Sequence, residues 1–71
     1  MYLSECTQYF KGVIKSIDDG PMKSKLLELG CVPGERFELT NLGRAGDPVA
    51  ISLGSFKLAL RKSEAQTIQV E

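Results

Sequence analysis

The stretch Pro21–Glu35, PMKSKLLELGCVPGE, restricts this chain to few folds, because it is the one place where a helix is written from start to stop. A proline at the first helical position loses no hydrogen bond, since that N–H would be an orphan anyway, so the helix is expected to open at Pro21, just after Gly20. Met22, Leu26 and Leu29 recur at i, i+4 and i+7 as one apolar stripe, with Lys23, Ser24, Lys25 and Glu28 turned to water. Leu27 falls off that stripe. Gly30 is placed to take the left-handed conformation that ends a helix, with Cys31 and Val32 folding back on the last apolar residues. Val32-Pro33-Gly34-Glu35 then supplies proline at i+1 and glycine at i+2 of a type II turn, and a strand should follow at once. A helix of roughly nine residues is not stable alone in water. It must dock, and the rest of the chain offers strands to dock on.

Arg36–Leu42 alternates Phe37, Leu39 and Asn41 against Glu38, Thr40 and Leu42, a half-buried strand with Phe37 and Leu39 inward. Gly43–Pro48 reads as a hairpin loop. Pro48–Leu53 puts Val49, Ile51 and Leu53 on one face, and Gly54-Ser55 connects tightly to Phe56–Leu60, with Phe56, Leu58 and Leu60 on one face. Upstream, Phe10–Ile17 is β-rich, but adjacent Val13 and Ile14 break the alternation and suggest a bulge or buried section at Gly12. Met1–Thr7 offers Ser4 as the cap of a short turn or Leu3 as a plug on a sheet. Near the other end, Lys62–Ala65 fits a single helical turn capped by Ser63, and Thr67–Val70 sets Ile68 and Val70 toward the core. Five short strands and one inserted short α-helix predict a mainly β fold: a small, partly closed antiparallel barrel, one domain over residues 1–71, since closure is the cheap way to hide strand edges.

Charge and cysteine usage exclude several functions. Lys plus Arg and Asp plus Glu balance at nine each and histidine is absent, which argues against a phosphate-backbone binder. Cys6 and Cys31 form no CxxC pair, and a structural zinc site needs about four ligands. Two cysteines are also few for a disulfide-stapled secreted domain, and no leader or bilayer-length apolar run is visible. The expectation is a cytoplasmic protein with both thiols reduced, no cofactor and no direct membrane insertion.

Taken together, Leu26, Leu29, Gly30, Pro33 and Gly34, then Gly46-Asp47-Pro48, then Leu58-Ala59-Leu60-Arg61 and Glu64-Ala65 resemble the FeoA family, ferrous iron transport protein A, in both order and spacing. The resemblance runs from about Val13 to Val70. It implies an SH3-like barrel without catalytic activity, working in the cytoplasm beside FeoB, the membrane transporter with a G-protein domain that imports ferrous iron. The family's proline-glycine turn before the first strand is replaced here by Gln8-Tyr9. The same barrel is similar to the C-terminal domain of iron-dependent repressors of the diphtheria toxin repressor type, whose DNA-binding domain and metal site have no counterpart in this sequence.

The sharper readings of single residues compete with plain structural ones. Gly30, Pro33 and Gly34 are explained by backbone geometry, and Leu26 and Leu29 by the core. Asp18, Asp19, Glu28 and Glu35 are candidate oxygen ligands for iron, but solvated turn and helix charges are the commoner case. Cys31 reads as a small buried hydrophobe, and no base is paired with a nucleophile anywhere in the chain. The function expected is an adaptor that binds FeoB, and the alternative is a free-standing nucleic-acid-binding or regulator-type barrel. Self-association is left open. Loops and the inserted helix are the parts of a small barrel free to recognise a partner, so the expected partner surface is where the helix end meets the hairpin loop: Leu27, Cys31, Val32, Arg44, Asp47 and Pro48.

Overall fold

Five antiparallel strands form one sheet in the order β4-β3-β2-β1-β5. They are β1 Lys11–Ile17, β2 Arg36–Leu42, β3 Val49–Leu53, β4 Phe56–Leu60 and β5 Ile68–Val70. Two short helices, α1 Lys23–Glu28 and α2 Lys62–Ala65, lie between them, in a computed structural model that describes every residue from Met1 to Glu71.

Two extra residues bend the sheet. In β1 the register against β5 shifts between Ile14 and Ser16, so Lys15 is the bulged residue. The strand bends there, its first half pairing with β2 and its second with β5. The bulge therefore does not sit at Gly12. That residue is needed for close approach instead, since a Cβ there would lie 2.6 Å from Phe10 Cε2 and 2.7 Å from the Glu71 carbonyl oxygen. A second shift in β2, between Leu39 and Asn41, leaves Thr40 over, and its Oγ1 donates to the Ala50 carbonyl at 3.3 Å. Beyond this bulge the faces exchange. Asn41, expected on the face of Phe37 and Leu39, is exposed, and Leu42 packs against the core.

Helix α1 begins two residues later than its sequence suggests. Lys23 N–H donates to the Gly20 carbonyl at 3.3 Å, and the first i to i−4 bond runs from Leu26 to Met22 at 3.0 Å. The preset φ of proline suits the second position of a turn as well as the first of a helix, and Pro21 serves the turn. The stop is as expected. Gly30 has φ 110°, Cys31 N–H donates to the Leu26 carbonyl at 3.0 Å, and Glu35 N–H closes the next turn on Val32 at 3.0 Å with Gly34 at φ 96°.

Every strand and α1 contribute to the core, where Ile14, Leu26, Leu39, Val49, Ile51, Leu60 and Ile68 are all but sealed from solvent. Leu3 is sealed too, held in a 3-10 turn over Leu3–Glu5, so the plug is the correct reading of the N-terminal segment and Ser4 caps nothing. Tyr2 bridges Gln69, and Val70 N–H donates to the Met1 carbonyl at 2.8 Å, which covers the β5 edge.

Candidate partner-binding surface

Two rigid turns meet at one end of β3. The helix stop brings Gly30 against Leu53, so that a Cβ on the glycine would stand 3.6 Å from Leu53 Cδ1. Val32 follows two residues later, and Phe56 is paired with Leu53 across the hairpin. Both residues stay exposed for their apolar type, at 42% and 49%. Phe56 shares the face of Leu58 and Leu60 but not their burial. It lies at the open end of an edge strand, where no neighbour closes over it.

At the other end of β3, α2 organises the hairpin loop. Glu64 is buried in α2, its Oε1 accepting from Arg61 N–H at 2.8 Å and its Oε2 from Lys25 Nζ of α1 at 2.9 Å. Those two donors hold its carboxyl below the usual carboxylate range, the Arg61 backbone N–H contributing most. Asp47 Oδ1 accepts from Lys62 N–H at 3.0 Å, and Lys62 Nζ donates to the Ala45 carbonyl at 3.2 Å. The α2 start is thus satisfied by Glu64 and Asp47, not by Ser63, which is exposed inside the turn. The loop itself contains a 3-10 turn, Arg44–Gly46.

The expected surface is therefore divided. Val32 lies at the Leu53 end of β3, whereas Arg44, Asp47 and Pro48, all exposed, precede Val49 at the other end, about 13 Å away along the strand. Arg44 has no hydrogen-bonded partner for its guanidinium, but Asp47 is already engaged with α2. Leu27 packs against the core, partly buried. Cys31 is at 0% exposure and cannot touch a partner. Burial pushes its thiol up to about 11, so it is a neutral filler of the core. The fold-back after Gly30 that seals Cys31 is what leaves Val32 outside.

The carboxylates do not gather into a metal centre. Asp18 is held by Gln69 Nε2 at 2.8 Å and Tyr2 Oη at 2.8 Å, which keeps it ionised to lower pH than an ordinary aspartate and raises the Tyr2 phenol in turn. Asp19 pairs with Lys23 at 2.9 Å in solvent. No three His, Cys, Asp or Glu side chains converge. An open groove of about 540 Å³ runs between β1, β2 and the β3–β4 turn, with Lys11, Arg36 and Glu38 on its walls. Ser52 there donates its hydroxyl to the Gly54 carbonyl at 3.1 Å. No helix is long and apolar enough to cross a membrane.

The model of the FeoA domain family matches residues 1–71. A FeoA-like protein from Clostridium acetobutylicum superposes with a TM-score of 0.91 at 32% identity, over 100% of this chain and 84% of its own. Iron(II) transport protein A from Clostridium thermocellum gives 0.89 at 36%, over 100% and 44%. FeoA of Stenotrophomonas maltophilia, solved with zinc and described as a prokaryotic SH3 domain protein and candidate ferrous iron transport activating factor, gives 0.86 at 33%, over 100% and 89%.

Proposed function

This chain belongs to the FeoA family, and from that premise we propose that it is a cytoplasmic, non-catalytic adaptor that binds the cytoplasmic part of the ferrous iron transporter FeoB and supports iron uptake. One observation carries the reading. Val32, in the helix stop, and Phe56, at the start of β4, are the exposed apolar side chains beside the Gly30–Leu53 contact, and backbone hydrogen bonds and strand pairing hold both in place. Apolar anchors on rigid supports, ringed by polar residues, are what a partner surface uses, and preorganisation lowers the entropy lost on docking. Arg44, free at the far end of β3, adds a planar donor for a carboxylate on the partner. A surface this small gives a weak, reversible complex, in keeping with regulation of a transporter.

Val32→Glu and Phe56→Glu should each abolish co-purification with FeoB from solubilised membranes, and Arg44→Glu should weaken it. All three should leave the circular dichroism spectrum and melting curve nearly unchanged. Retention of FeoB by a folded Val32→Glu, Phe56→Glu double variant would sink this assignment of the surface.

A further inference from the structure

We propose that the chain pairs with a second copy of itself through the free edge of β4, extending the sheet across a two-fold axis at Leu58. The proposal goes beyond transporter binding and does not rest on it. Of the two outer strands, β5 is covered by Tyr2 and Met1, whereas β4 has a neighbour only on the β3 side. The two-residue Gly54-Ser55 turn makes Leu53 and Phe56 a hydrogen-bonded pair, and by alternation so are Ile51 with Leu58 and Val49 with Leu60. The N–H and C=O groups of Lys57 and Ala59 therefore point away from β3, and both residues are exposed.

An antiparallel copy has three two-fold registers that match these outward groups. One sets Lys57 against Lys57. Another sets Ala59 against Ala59 but Lys57 against Arg61, whose N–H is already given to Glu64. Both bring like charges opposite each other, which destabilises a cross-strand pair. The third, centred on Leu58, sets Lys57 against Ala59 twice and makes four backbone hydrogen bonds. It also lays Leu58 on Leu58 and the half-exposed Phe56 beside Leu60, covering apolar surface that β4 leaves open.

The test is sedimentation of the full chain from about 10 μM to 1 mM, with amide exchange followed by NMR. The expected result is a mass rising toward the dimer, with the Lys57 and Ala59 amides protected only at high concentration. Ala59→Lys places a second lysine opposite Lys57 and should raise Kd at least tenfold. Ala59→Glu places a carboxylate there and should lower it. Circular dichroism will verify that both exposed-site variants fold. A monomer throughout with both amides unprotected, or a dimer indifferent to both substitutions, would overturn the proposal. So would protection of these amides only on addition of FeoB, which would give the edge to a foreign strand.

Discussion

Tyr9 holds φ 71° with its side chain 68% exposed, in a turn closed by Phe10 N–H on the Thr7 carbonyl at 3.1 Å. This is the position where the resemblance leads one to expect glycine, and a non-glycine residue there carries about 1–2 kcal/mol of strain. Tyr9→Gly should therefore raise stability by up to about 1 kcal/mol once the extra freedom of the unfolded glycine is subtracted, visible as a higher urea midpoint at unchanged slope. Gly34→Val should do the reverse. A Cβ at Gly34 meets nothing within 4 Å, so the loss of about 1–3 kcal/mol would be backbone strain alone, and an unchanged melting temperature would contradict the turn. Gly30 and Gly34 were legible in the sequence because glycine is nearly the sole residue at ease with positive φ. Tyr9 was not, since tyrosine carries no mark of it. Cys31 was legible as a filler of the core and misplaced as a contact, because one residue decides which side of a helix stop faces water.

Elements were legible where their period was clean. The bounds of β2 and α2 were read as they stand, and the β3–β4 hairpin follows from its two-residue turn. The two bulges were not placed, because an extra residue is chosen by the partner strand rather than by the bulged one. The tie between α1, α2 and the hairpin loop was also out of reach, since it joins Lys25 to Glu64 and Asp47 to Lys62 over long separations. Glu64 gives that tie a pH dependence. Its folded pKa lies below its ordinary value of 4.5, so the stabilisation is complete above that value and is lost as pH falls through the folded one. Glu64→Gln should flatten the decline of the melting temperature below about pH 4.5. At neutral pH it should cost about 0.5–1 kcal/mol, since Lys25 is largely in solvent. An acid profile identical to wild type would remove Glu64 from that role.

At the scale of the whole molecule, 71 residues carry a total stability of roughly 4–11 kcal/mol. Leu3, sealed beneath the N-terminal turn, is a large share of that. Leu3→Ala should cost about 2–5 kcal/mol, so the variant should melt at least ten degrees or so lower, or not fold at all. A shift of only a degree or two would mean that the N-terminal turn is an ornament on a self-sufficient barrel. Mainly β architecture was legible from turn spacing, whereas the division of the expected surface was not, because it depends on which end of β3 receives each turn. The bond between Val70 and Met1 has a practical side. With its first residue bonded to its last but one, the barrel has the form of a cassette: it can be spliced into a loop of a host protein, or its ends ligated and new ones cut at Gly54-Ser55, with no strand asked to move.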